Sequence, residues 1–170
     1  SLGIVNFNGI YGLVSVFLIA ALIKTVQGSS TVAIITTCAL VSPLIDQIGI
    51  IGEIEKVIKT YFDLLYKGEK DLIESVFLPE ANVSSLYNDK IIKIDMDGFR
   101  KRIAERKSPE SIGEMRDDKI IMIDISSPTT AMVKVKCNIL HNNYIDYLSL
   151  FKVSGKWKII SKVFHMNPGI

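Results

Sequence analysis

Charge is nearly missing from the first 50 residues of this chain, where Lys24 and Asp46 are the only charged side chains. All but one of the 20 Lys/Arg and all but one of the 18 Asp/Glu therefore lie after residue 50, with a formal excess of only +2. So small an excess, with both signs interspersed, provides no basic stripe and excludes nucleic acid as the expected partner. Cysteine is scarce as well. Cys38 and Cys137 fall on opposite sides of the composition break, one in an apolar run and one in a strand pattern. Both are expected to be reduced and buried, in a reducing setting. No CxxC and no Cys/His cluster is present, so neither a metal site nor a cofactor is expected. The lysines near the end, Lys152, Lys156, Lys158 and Lys162, read as the solvated face of an alternating sheet.

What the first 50 residues do contain is apolar. Residues 10–23 are almost wholly hydrophobic, and with Ile4, Val5 and Phe7 they are long enough to span a ~30 Å hydrocarbon core as a helix. A second uncharged run, residues 32–45, is short for a span and carries Pro43. Gln27, Gly28, Ser29, Ser30 and Thr31 form a polar break between the two. A basic leading region and a small-residue cleavage site are both lacking, which argues against a signal peptide. The expectation is a helical membrane-type segment over residues 1–50. It would hold the chain at a membrane through residues 1–45, with the soluble part cytoplasmic. The whole chain would be cytoplasmic if the segment is not inserted.

The stretch FLIAALIKTVQGSSTVAIITT resembles the gluconate permease family over about residues 5–48, most closely from Gln27 to Ala33. Polar, glycine-containing breaks between half-helices are where transporters expose backbone groups to substrate. The resemblance implies that Gln27, Gly28, Ser29, Ser30 and Thr31 would lie near a substrate path in a complete permease. Alternating access needs two repeats, more than one or two short spans can build. The stretch therefore reads as a remnant or fused anchor, with the C-terminal piece of a gluconate/proton symporter as the alternative.

After Gly49 and Gly52 the pattern changes. In residues 53–67 the apolar positions 54, 57, 58, 61, 62 and 65 follow one helical face, and Gly68 is a natural stop. A short helix over residues 69–76 ends at Leu78-Pro79. Two extended pieces follow, 81–87 and 90–94, joined by a turn at Asn88-Asp89. Asp95 is placed to cap a third helix through about residue 105, with Met96, Phe99 and Ile103 on one stripe. Residues 107–114 read as a loop. Strands are expected at 119–125, 131–140, 143–153 and 156–165, with Ser154-Gly155 as a hairpin turn. Helices first and strands afterwards give an α+β domain over residues 51–170.

Three stretches carry a second resemblance: IEKVIKTYFDLLYKGEKDLIESVFLPEA, RKSPESIGE and DYLSLFKVSGKWKIISKVFH. In this order they resemble the putative lumazine-binding family of the nuclear transport factor 2-like fold, over about residues 54–165. The resemblance implies a cone-shaped domain, three N-terminal helices on a curved antiparallel sheet. A homodimer through the sheet and an internal pocket for a small molecule follow from the same resemblance. Relatives of the fold include isomerases, cyclases, dehydratases and non-catalytic pockets, so function stays open.

A bulge-free hairpin at Ser154-Gly155 sets Val153 against Lys156, Lys152 against Trp157 and Leu150 against Ile159. It also sets Leu148 against Ser161, Asp146 against Val163 and Tyr144 against His165. One face then carries Trp157, Ile159, Val163, Leu148 and Leu150 with the polar group Tyr144, Asp146, Ser161 and His165. Asp146 and His165 become diagonal neighbours, a carboxylate and an imidazole able to move a proton, or simply a hydrogen bond at the rim. Tyr61, Phe62 and Tyr66 follow helical spacing and read as core, while the resemblance implies that helix tyrosines such as Tyr61 and Tyr66 line the cavity in this fold. The leading expectation is a non-catalytic ligand-binding domain; an isomerase- or cyclase-like enzyme using the Asp146/His165 pair is the alternative. A single extra residue in one strand would put these groups on opposite faces.

Overall fold

The computed structural model describes residues 17–18, 21–22 and 30–167, with side chains described at 17–18, 21–22, 42 and from 46 onward. Gln27, Gly28, Ser29 and the side chains of Ser30, Thr31 and Cys38 lie outside the described residues. The chain divides into two compact units, Ser1–Ile50 and Ile51–Ile170. Helix α1 covers Ser30–Lys67, so helix begins well before the expected start at residue 53 and includes Pro43. Among the described residues, no helix is long and apolar enough to cross a membrane.

In the second unit, Ile54, Ile58, Tyr61, Phe62 and Leu65 of α1 are buried, on the face that the apolar spacing marks out; Val57 of that face is half-buried, and Leu64, outside it, is buried as well. Gly68 ends the helix with φ +73°, its N–H returning to the Leu64 carbonyl at 3.1 Å. The expected second helix is a 3-10 turn, Lys70–Leu72, followed by one short turn of helix α2, Ile73–Val76. Strands β1 (Phe77–Tyr87) and β2 (Lys90–Ile94) come next. Pro79 sits inside β1, in the stretch where register breaks between Phe77 and Asn82, a place where a missing N–H costs no ladder bond. Helix α3 (Met96–Glu105) is capped by Asp95, whose Oδ1 accepts the Gly98 N–H at 2.9 Å. Its buried stripe is Met96, Phe99 and Ile103. A 3-10 turn, Glu110–Ile112, interrupts the following loop.

Strands β3 (Lys119–Ser127), β4 (Thr130–Ile139), β5 (Asn142–Val153) and β6 (Lys156–Asn167) complete a six-stranded sheet in the order β2-β1-β6-β5-β4-β3. The sheet is mixed rather than antiparallel throughout, because β1 runs parallel to β6. Three tight turns use paired left-handed residues, Asn88-Asp89, Leu140-His141 and Ser154-Gly155. Such turns twist in the sense of the strands they join. Alternation puts Ala131, Val133, Val135, Cys137 and Ile139 of β4 in the core, and Asp146, Leu148 and Leu150 of β5 beside them. Tyr61, Phe77 and Phe99 stack edge to face through this core, with ring centroids 6.0 and 5.5 Å apart.

Candidate ligand site

The last hairpin departs from a regular register. From the turn, Val153 pairs with Lys156, Lys152 with Trp157 and Leu150 with Ile159, as the sequence predicts. Ser149 then pairs with Ser161, so Ile160 is an extra residue, a β-bulge. Beyond it Leu148 faces Lys162, Asp146 faces Phe164, Ile145 faces His165 and Tyr144 faces Met166. The inward set on β6 is therefore Trp157, Ile159, Lys162 and the half-buried Phe164.

This corrects the expected grouping of Asp146 with His165, Ser161 and Val163. His165 is exposed and its Nε2 lies 3.0 Å from Asn167 Oδ1. Ser161 is half-buried opposite Ser149, and Val163 is exposed opposite Tyr147. Lys162, expected on a solvated face, is only 4% exposed.

Inside the domain Asp146, at 0% exposure, is met by three donors on one oxygen. Its Oδ2 accepts from Tyr61 Oη at 2.5 Å, from Lys162 Nζ at 3.1 Å and from Cys137 Sγ at 3.8 Å. Lys162 Nζ also donates to Tyr61 Oη at 2.6 Å and stands 5.1 Å from the centre of the Phe164 ring. Asp146 Oδ1 is buried without a hydrogen-bond partner among the described residues. Burial and the Asp146 carboxylate hold the Tyr61 phenol well above its ordinary value, and burial raises the Cys137 thiol likewise.

Lys162 reaches the wall of a cavity of about 130 Å³. The body of that cavity is apolar, formed by Leu65, Val83, Phe99, Ile103, Ile139 and Phe164 among others. Its polar lining is Lys162, Arg102, Arg106 and Tyr144, with no carboxylate among the described residues that line it. Arg106 is held by one side of its guanidinium, with Nη2 donating to the Leu65 carbonyl. Its Nη1 is buried without a partner among the described residues. Desolvation lowers the Arg106 pKa from its usual position and burial raises that of Tyr144.

The other sequence candidates sit elsewhere. Tyr61 and Asp146 stand behind Lys162 and do not line the cavity. Tyr66 donates to the Glu114 carbonyl at 2.9 Å, with Arg116 5.3 Å above its ring. Trp157 is core and donates through Nε1 to Glu53 Oε2 at 3.1 Å. Among the described residues, no group of His, Cys, Asp and Glu could hold a metal ion. Lys162, Arg102 and Arg106 were not marked by the sequence. An arginine following the stripe Phe99, Ile103 at helical spacing is the one sign that could have pointed to Arg106.

The chain is 48% identical to the aldolase FrzH of a Cladobotryum species over 44 residues. That match covers 25% of this chain and 35% of that protein, so the chain spans about a third of the curated relative. Nuclear transport factor 2-like proteins of unknown function from Silicibacter pomeroyi DSS-3 and Shewanella baltica OS155 superpose with TM-scores of 0.62 and 0.63. Their identities are 20% and 24%, over 69% of this chain in each case and 95% and 94% of theirs. At that identity the likeness shows the fold, which is nuclear transport factor 2-like. The GntP family permease model matches residues 4–59, and the model described as putative lumazine-binding matches residues 50–165. The second match takes in most of the chain, which therefore belongs to the putative lumazine-binding family.

Proposed function

We propose that the domain binds a small organic anion, a carboxylate with an apolar body, in the cavity walled by α1, α3 and the sheet. The single observation that carries this is Arg106 Nη1, a buried guanidinium nitrogen without a partner among the described residues, on a cavity whose described lining has three cations and no carboxylate. A buried cationic donor left unpaired is costly, and a ligand carboxylate would supply the acceptor. The apolar walls would take the remainder of the molecule, the usual division of labour in small-molecule pockets. Isocaproate is a suitable probe and isocaproamide its neutral match. Calorimetry is expected to give binding of the acid, weakened about tenfold or more in Arg106→Gln, the worth of one charged hydrogen bond. Equal binding of acid and amide would overturn the reading.

A second reading, carbonyl chemistry, is favoured by Lys162 on the cavity wall and by the name of the aldolase relative. The Asp146/His165 chemistry expected from a regular hairpin has no support, since the bulge separates the two. For self-association, the exposed Tyr147, Phe151 and Val163 support a homodimer through the outer face of the sheet. Concentration-dependent sedimentation tests that proposal, and Tyr147→Glu should abolish the dimer. The permease-like stretch supports membrane ancestry for residues 4–59, while transport would need the second repeat that alternating access requires.

A further inference from the structure

We infer that Lys162 is a reactive amine, and that the cavity takes oxo acids by forming an iminium with it. This rests on the anion-binding reading above, because Arg106 and Arg102 would hold the acid's carboxylate while its carbonyl meets Nζ.

Lys162 lines the cavity wall, paired with Leu148 just past the extra residue Ile160. Two of its N–H groups are committed, to Tyr61 Oη at 2.6 Å and Asp146 Oδ2 at 3.1 Å. No hydrogen bond takes the third among the described residues, and Nζ stands 5.1 Å from the centre of the cavity-lining Phe164 ring. A lysine serving only as a buried counterion has no need of a cavity beside it, whereas an amine nucleophile needs a cavity and a nearby base. Asp146 is that base, and its second oxygen, Oδ1, carries no hydrogen bond among the described residues.

The chemistry balances within these groups. Asp146 takes one proton from the Lys162 ammonium, and the free amine attacks the carbonyl carbon, forming the C–N bond. A proton passes from nitrogen to the former carbonyl oxygen. Asp146 returns its proton to that hydroxyl, the C–O bond breaks and water leaves. An ammonium and a carbonyl have become an iminium and water, and the positive charge still faces Asp146.

The test uses the full chain with ketoisocaproate and cyanoborohydride, read by intact and peptide mass spectrometry. One reduced adduct is expected, on the peptide containing Lys162, blocked by excess isocaproate and absent from Lys162→Arg, which keeps the charge but cannot form an imine. Asp146→Asn should slow adduct formation by a factor on the order of 100 and change its pH profile, the range for a lost general base. Calorimetric binding of isocaproate without an adduct at Lys162 overturns the amine role and leaves the anion pocket standing. Adducts that persist in Lys162→Arg, or that excess isocaproate does not block, also overturn it. No binding of either acid removes the pocket reading and this one with it. Should Lys162→Arg fail to fold, the isocaproate block on the unaltered chain decides.

Discussion

Lys162 Nζ and Asp146 Oδ2 meet at 3.1 Å with both side chains out of water. Removing one partner leaves the other charge buried and alone, which costs about 3–5 kcal/mol. Lys162→Met and Asp146→Leu are each expected to lose that much in urea unfolding. The double variant should lose far less than the two together, because an apolar pair of similar volume fills the same space. Additive losses would mean that the two groups are not energetically paired.

Alkaline pH should unfold this domain early. Burial raises the Tyr61 and Tyr144 phenols and the Cys137 thiol, so the native chain keeps protons that the unfolded chain releases. Their stabilising contribution is complete below the unfolded values, 9.0 for the thiol and 10.0 for the phenols, and is lost as pH rises from there toward the higher folded values. Urea midpoints measured between about pH 8 and 11 should therefore fall steeply at the top of the range. Tyr144→Phe should lessen the slope. A flat profile would show that these groups titrate alike in both states.

Much of this architecture can be read from the residues because the deciding forces are local. The apolar faces of α1 and α3, the Asp95 cap, the Gly68 stop and the Ser154-Gly155 turn all depend on neighbours within a few positions. The parallel pairing of β1 with β6 depends on chain segments some 80 residues apart, and no periodicity encodes it. The bulge was hidden for a different reason. Ile159-Ile160, Ser161-Lys162 and Val163-Phe164 are doublets of like polarity, so either phase of alternation fits them equally. Only tertiary pairing with Tyr61 and Asp146 selects the phase that turns Lys162 inward, and the candidate site follows from that choice.

Glu114 braces the turn between β4 and β5. Its two carboxylate oxygens accept the N–H groups of Leu140 and His141, each at 2.7 Å. Both residues have positive φ, 52° and 65°, a conformation costing roughly 1–2 kcal/mol for each side-chain-bearing residue. Leu140 is also a cavity-lining residue. Glu114→Ala should destabilise the domain by about 1–3 kcal/mol, the cost of unsatisfied donors, and weaken isocaproate binding. Adding His141→Gly should restore part of the stability, since glycine adopts this backbone without strain. No rescue would mean that the carboxylate acts elsewhere than on the turn.

Deleting one residue from a strand ordinarily sends every later side chain to the wrong face. Ile160 is expected to be an exception. It has no partner on β5, Ser149 pairing with Ser161 and Leu150 with Ile159. Without Ile160 the ladder runs regularly, with Ser161 outward and Lys162 still inward beside Leu148. The variant should keep its fold and its Lys162–Asp146 pair and lose only the local bend. Deleting Val163, which is paired with Tyr147 in regular register, should instead move Phe164 and all that follows it to the opposite face. Cross-strand contacts measured by NMR distinguish the cases. If loss of Ile160 is as damaging as loss of Val163, the extra residue does not lie where the pairing puts it.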